Sequence, residues 1–417
     1  MAEDSVAVTG IGAQLATGSG VTAFWEGLRE GRPGVRDLYG PEFSSVPNAM
    51  AATVERRRPI DLLPGLEPRY AASYSDEILL AMAAAEQARC DAGLPRGGVD
   101  PSRLSLIASS SRGPLAWWDS EAAALSGDGD DPPRAAALLG LPGAPASLYA
   151  VYADVRGHVS TLSSACVGGH QAIGWAADML RARLADAVIV LGHEFPAVPS
   201  LFRCYNALGV LSHRTDDSSG ALRAYGADRD GFVLGEGAVA LVLERAADAE
   251  RRGARPYAHV LGYRSENEAA HATRMDGSGR SMATLIGRLL EEERSKITDV
   301  SYVCGHGSAT RLNDRSESRA LKQLYEGVNR ERWAPLGGNK AVVGHTLGAS
   351  GVVNAAAGSL MLHHQELART AAFGPMDPEC DLDHVIDGPR RTPLKTVLSL
   401  SYALGSQSSA LLLKAAS

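Results

Sequence analysis

Cysteine is scarce in this chain and badly placed for cross-linking. The 417 residues hold five, Cys90, Cys166, Cys204, Cys304 and Cys380. The number is odd, the spacings are wide and no CxxC pair occurs, which excludes a disulfide framework and a cysteine-built zinc site. Positive charge is not in excess either. Lys and Arg number 41 against 48 Asp and Glu, a formal charge of -7, so nothing draws the chain as a whole to nucleic acid. Long hydrophobic runs are missing. No stretch reaches the ~18 to 20 uncharged apolar residues of a membrane span. The opening "MAEDSVAVTGIGAQ" has no basic segment leading an apolar one, as a secretory signal would. A cytoplasmic protein of a reducing compartment is expected, with no membrane or nucleic-acid partner and no metal. The adjacent His363 and His364 on one helix face different directions and cannot share an ion.

What is present is an ordinary globular composition, 45% hydrophobic and 21% charged. Short apolar runs closed by glycine alternate with helical spacings. "SVAVTGIGAQL", "RLSLIASSS", "ADAVIVLGHE" and "GAVALVLER" read as buried strands, and "DEILLAMAAAEQARCDAG" and "HQAIGWAADMLRARL" as helices. From residue 255 the plan repeats, ending in a strand hairpin over 394–416. An α/β fold with buried sheets is expected. Two similar halves, 1–250 and 255–417, follow from rhythm alone. "SGDGDDPPRAA" (126–136) and "ERRRP" (55–59) read as surface turns, and Trp117-Trp118 as a packed loop.

Three strand ends carry reactive side chains: Cys166 in "SSACVGGHQAIG", His306 in "CGHGSATRLNDRSES" and His345 in "GGNKAVVGHTLGASG". Function in α/β folds gathers at such ends. A thiol just before a helix gains from the free N–H groups and the dipole, which lower its pKa, so Cys166 needs no paired base. Gly168 and Gly169 would clear room for an acyl chain. Two neutral imidazoles can donate N–H to one developing oxyanion. The set suits acyl transfer from a thioester followed by carbon–carbon bond formation.

The ordered motifs resemble those of the β-ketoacyl-[acyl-carrier-protein] synthases, in their elongating Cys-His-His branch. Ala165-Cys166 matches the family's Ala-Cys pair. His306-Gly307-Ser308-Ala309-Thr310, with Asp314 and Glu317, matches the first histidine run. Lys340, Gly344, His345, Gly348, Ala349 and Gly351 match the second, and Arg229 to Gly237 match Arg-Asp-Gly-Phe-Val-x-Gly-Glu-Gly. The resemblance runs from Val6 to Lys414. It implies a thiolase-type fold, two α/β halves in an α-β-α-β-α sandwich, the cysteine in the first and the histidines in the second. It implies that Cys166 takes an acyl group as a thioester, with the N–H groups of Cys166 and Leu404 as oxyanion hole. His306 and His345 then serve decarboxylation of malonyl and hold the enolate. Lys340 and Glu317 are expected as a pair holding the histidines, with Asp314 nearby among the substrate-binding residues. Ser308 and Thr310 are expected on the phosphopantetheine arm, Ser111 at the far end of the pocket, and Arg69 on the carrier-docking surface near the mouth. No free cofactor is implied, since substrates ride on an acyl carrier protein. The expected assembly is a homodimer, or a heterodimer with a chain-length-factor-like subunit.

One departure stands out. Where elongating enzymes carry a Gly-Phe-Gly-Gly-type loop, this chain has Ala403-Leu404-Gly405-Ser406. A less mobile, more open gate is expected, which favours a polyketide-type enzyme over fatty-acid elongation. An acyltransferase or cyclase using Cys166 without malonyl decarboxylation is the alternative. A non-catalytic chain-length-factor-like subunit would lack the cysteine. Cys90, Cys204 and Cys304 read as buried thiols, Cys380 as a loop residue, and His158, His170 and His193 as structural. Starter and chain length are not legible.

Overall fold

A computed structural model describes residues 5–55, 59–125, 136–214, 216–372 and 374–416. Most of the two expected surface turns, at 56–58 and 126–135, lies outside the described residues. Among the described residues, five strands in the main run of the large sheet come from the first part of the chain: β1 (Val6–Leu15), β2 (Leu104–Ser109), β3 (Val159–Leu162), β4 (Ala187–Glu194) and β5 (Gly237–Arg245), with the short strand Gly18–Ser19 beside β1. Five come from the second: β6 (Ala258–Asn267), β7 (Tyr302–Cys304), β8 (Leu336–Gly337), β9 (Thr396–Ala403) and β10 (Gln407–Ala415). Their order is β8-β7-β9-β10-β6-β1-β5-β4-β2-β3.

Each group of five has the same plan. The second strand runs parallel to the third and fourth, the fourth antiparallel to the fifth, and the fifth antiparallel to the first. The groups join where β1 pairs with β6, Val6 against Val260 and Val8 against Ala258. A repeat invisible residue by residue is therefore plain in the topology.

Helix α1 (Asp76–Asp91) covers β1, β4 and β5 from outside, and α3 (Arg280–Glu292), with α4 (Arg311–Leu324) against it, covers β6 and β10. Between the two groups of strands lie α2 (Gly168–Arg181) and α5 (Ser350–His364), each touching strands of both. α2 keeps an exposed side, at Trp175 and Asp178, whereas α5 is enclosed and must be apolar all round and slim. "SGVVNAAAGSLML" is buried at every position from Ser350 to Leu362. At the starts of α2 and α5 the backbones themselves touch. A Cβ on Gly169 would lie 2.6 Å from Val352 N, and one on Gly351 2.4 Å from His170 N. A Cβ on Gly168 would instead meet a side chain, Ser109 Oγ at 2.5 Å. Gly169 serves backbone approach, then, and Gly168 the fit against a serine, and not room for an acyl chain as the sequence suggests.

Some surface expectations are corrected. Cys90 and Cys204 are exposed, because each falls on the outer face of its helix, whereas Cys380 is buried in a short turn. Trp117 and Trp118 sit on the helix Leu115–Leu125, not a loop, and the Trp118 indole N–H donates to Gly140 O at 2.9 Å.

Gly351→Ala should lower stability by about 1–3 kcal/mol, since backbone cannot swing aside. Gly287→Ala, on α3 with nothing within 4 Å of the added carbon, should instead raise it by about 0.5–1 kcal/mol. Thermal melts of the two variants check this; shifts of the same sign would contradict it.

Candidate active site

Cys166 follows β3 in a tight turn, Ala165–Val167, and α2 begins two residues later. Ala165 takes a left-handed conformation, φ 46°, which aims the next residue off the strand line. Ser401 Oγ, from β9, donates to Cys166 O at 2.7 Å. The sulfur is buried and lies 3.3 Å from His345 Nε2. The His345 and His306 ring centres are 5.2 Å apart, at 83°.

Backbone fixes both tautomers. Leu347 N–H donates to His345 Nδ1 at 3.3 Å, and Tyr402 N–H donates to His306 Nδ1 at 3.4 Å. A backbone N–H can only donate, so each Nδ1 accepts and each Nε2 carries the hydrogen. His345 Nε2–H therefore faces the sulfur. Burial, with Lys340's charge second, holds both imidazoles well below the ordinary histidine range. Both are neutral donors at physiological pH.

The polypeptide around them is tied from several sides. His345 N–H donates to Val233 O at 2.8 Å and Gly235 N–H to His345 O at 3.0 Å. That is the role of the Arg229–Gly237 run, which the sequence singled out without assigning one. Ser350 Oγ lies 3.0 Å from His345 Nδ1. Glu317 receives His306 N–H at 2.6 Å, Gly307 N–H at 3.1 Å and the Tyr225 hydroxyl at 2.8 Å. Lys340 Nζ donates to His306 O. Tyr225 is one of the site residues sequence reasoning missed; its signal was its place four residues before Arg229.

Several expectations need correction. Lys340 and Glu317 do not pair with each other and do not hold both histidines. They grip opposite ends of the His306 peptide, because α4 brings the carboxylate to its N–H while the lysine comes from the His345 side. Asp314 is fully buried and does not line the pocket; it receives Tyr225 N–H at 2.7 Å and lies 3.5 Å from Arg229 Nε. Ser111 turns away from the pocket because Glu194 takes its hydroxyl at 2.6 Å. Arg69 pairs with Glu67 at 2.7 Å and stacks on Tyr70, beside a separate cavity. The arginines that line the mouth are Arg274 and Arg311.

The pocket over Cys166 has a volume of about 480 Å³ and is walled by both histidines, Ser308, Thr310, Phe232 and Leu404. Leu404 stands at the tip of the β9–β10 hairpin. The next two residues are left-handed, Gly405 at φ 85° and Ser406 at 58°. Ser406 Oγ accepts from His271 N–H at 3.0 Å and bonds Arg274 O at 3.1 Å, tying the hairpin to the opposite lip.

Cys166 is not activated as the sequence suggests. Burial pushes its thiol up to about 12; Lys340's charge opposes this and Glu194's adds to it. A helix end is worth at most ~2 kcal/mol, about 1.5 pKa units, so the thiol stays neutral in the empty pocket. Its partner is the His345 N–H, which stabilises a thiolate without removing the proton.

A buried thiol at a helix start, facing two N–H-donating imidazoles, is equipment for forming and condensing thioesters, and the surrounding fold is thiolase-type. The chain belongs to the β-ketoacyl synthase family: residues 3–249 match the beta-ketoacyl synthase N-terminal domain and 257–374 its C-terminal domain. It is 35% identical to the tetracenomycin polyketide synthase ketoacyl synthase alpha subunit of Streptomyces glaucescens, over 99% of this chain and 97% of that one. It is 30% identical to 3-oxoacyl-[acyl-carrier-protein] synthase 2 of Coxiella burnetii, over 99% of both. Among solved structures it resembles a type II polyketide synthase ketosynthase bound to a hexaketide in complex with its acyl-carrier protein, with TM-score 0.87, 28% identity and 99% of both chains covered. It also resembles the ishigamide ketosynthase/chain length factor, with TM-score 0.89, 26% identity and 100% of both. No helix among the described residues is long and apolar enough to cross a membrane.

Alkylation of Cys166 by iodoacetamide should rise about tenfold per pH unit from pH 7 to 8.5, as the thiolate fraction grows toward a high pKa. Peptide mapping across pH checks it. A plateau reached below pH 7 would contradict a neutral resting thiol.

Proposed function

We propose that the protein catalyses decarboxylative condensation of a malonyl thioester with an acyl group held on Cys166, in polyketide or other specialised metabolism, with both substrates on acyl carrier protein. The observation that carries this reading is a buried sulfur 3.3 Å from His345 Nε2, with the His306 ring lining the same pocket. Cys166 attacks the incoming thioester; its S–H proton passes to the departing phosphopantetheine sulfur and a new thioester forms. The N–H groups of Cys166 and Leu404 receive the oxyanion. Malonyl carrier then enters, its carbon–carboxylate bond breaks, carbon dioxide leaves, and the electron pair left behind becomes an enolate whose oxygen is held by His306 and His345. The enolate carbon attacks the Cys166 thioester. The tetrahedral intermediate collapses to a β-ketoacyl carrier, and the released thiolate takes a proton.

Ser308 and Thr310, 2.9 Å apart on the pocket wall, would meet the phosphopantetheine arm, and Arg274 and Arg311 the acidic carrier. Edge strand β3, paired on one side by β2 in the sheet order, offers its other edge to a second copy or a chain-length-factor-like partner. Cys166, His306 and His345 together speak against a subunit that only shapes another's cavity.

Cys166→Ala should abolish the acyl adduct seen by intact mass spectrometry. His306→Ala and His345→Ala should still load acyl groups but release carbon dioxide from malonyl carrier on the order of 10²- to 10³-fold more slowly. Undiminished decarboxylation in either histidine variant would overturn the assignment. Acyl transfer from wild type to an alcohol or amine, with no carbon dioxide released, would move the protein to the acyltransferase alternative.

A further inference from the structure

His306 and His345 are both neutral donors, yet their far nitrogens are held differently. His306 Nδ1 accepts one long bond, from Tyr402 N–H at 3.4 Å. His345 Nδ1 has two neighbours with a hydrogen to give. Leu347 N–H lies at 3.3 Å and Ser350 Oγ at 3.0 Å. Leu347 holds a left-handed φ of 40° where its N–H meets the ring.

The hydrogen on Ser350 can be placed by elimination. An amide N–H has no lone pair to offer, so Nδ1 is the acceptor in both contacts. Ser350 therefore points its one hydroxyl hydrogen at Nδ1. Thr346 Oγ1 lies 3.3 Å from Ser350 Oγ, and with the Ser350 hydrogen committed, Thr346 is the donor there. The bonds then all run one way. Thr346 O–H donates to Ser350 Oγ, Ser350 O–H to His345 Nδ1, and His345 Nε2–H faces the Cys166 sulfur at 3.3 Å. Thr346 and Ser350 are 1% and 3% exposed, so bulk water does not compete for either hydroxyl.

Bonds in such a chain polarise one another. Negative charge on the sulfur, or on an enolate oxygen beside it, pulls on Nε2–H and makes Nδ1 the better acceptor. The Ser350 bond thus tightens when charge appears, which is when an interaction helps catalysis. Among the described residues no hydroxyl bonds His306 Nδ1.

We propose that Ser350, backed by Thr346, is a positioning residue that makes His345 the stronger of the two N–H donors. The kinetic consequence rests on the condensing reading and gives one histidine the larger share of anion stabilisation. The Ser350 bond exists before and after charge develops, so only its tightening counts. Strengthening a charge-assisted bond by ~10–30% is about two- to fourfold in rate.

The test compares wild type with Ser350→Ala, a substitution that favours the helix it starts. Nitrogen-15 NMR of histidine-labelled protein reads the far nitrogens with no substrate present. The His345 Nδ1 signal should move toward that of an unbonded imidazole nitrogen. His345 Nε2 should keep its hydrogen, and both His306 signals should stay in place. With malonyl carrier, kcat for carbon dioxide release should fall about two- to fourfold at unchanged KM. A general loosening of the fold would move both rings, so it does not imitate this pattern. An unmoved His345 Nδ1, equal movement of both rings, or a kcat equal to that of wild type overturns the role of Ser350 and leaves condensation standing. A wild type that releases no carbon dioxide overturns the condensing reading, and the NMR comparison still decides whether Ser350 donates to His345.

Discussion

Two helices begin with their backbones in contact, and the site depends on that contact. Gly169 and Gly351 leave no side chain between the starts of α2 and α5. α2 starts just after Cys166 and α5 just after His345, so the approach of two helix ends is also the approach of the sulfur to the imidazole. The nucleophile belongs to one group of five strands and the histidines to the other. Neither group alone can make the 3.3 Å contact. The duplicated topology turns two strand-end loops toward each other across the central helices, and the glycines set how near they come.

The electrostatics follow from that depth. At the pocket floor burial opposes every charge: it lowers Lys340 and both histidines, and raises Cys166 and Glu317, the last to about 7. The groups that hold position do so mainly through backbone, which carries no titratable proton. Leu347, Tyr402, Val233 and Gly235 orient the histidines, while Glu317 and Lys340 clamp the His306 peptide. Neutral imidazoles with fixed Nε2–H groups gain most when negative charge appears between them, as in a transition state, and little before.

Much of this was legible in the sequence. Strand runs such as "ADAVIVLGHE" and the terminal hairpin are continuous apolar patterns, and pattern is what sequence carries best. Cys166, His306 and His345 were legible because each sits in a motif with fixed internal spacing. What was not legible depends on which way a side chain turns once the chain is packed. Ser111 and Arg112 are adjacent, yet the Ser111 hydroxyl bonds Glu194 while the Arg112 side chain reaches the Tyr205 hydroxyl. Arg69 was read at the pocket mouth, whereas its neighbours Glu67 and Tyr70 line a different cavity. Asp314 and Glu317, one turn apart on α4, divide between Tyr225 N–H and the His306 peptide. Gly168 and Gly169 were read as space for a ligand, whereas Gly168 makes way for the Ser109 side chain and Gly169 for the backbone of α5. The thiol was read from its helix end alone, and burial outweighs that end.

The central claim is that burial keeps both imidazoles neutral while backbone donors to Nδ1 keep the hydrogen on Nε2. Nitrogen-15 NMR of histidine-labelled protein, assigned through His306→Ala and His345→Ala, tests it directly. Both rings should show an unprotonated, hydrogen-bond-accepting Nδ1 and a protonated Nε2, unchanged from pH 6 to 8. A protonated Nδ1 on either ring, or a shift toward imidazolium within that range, would contradict the account.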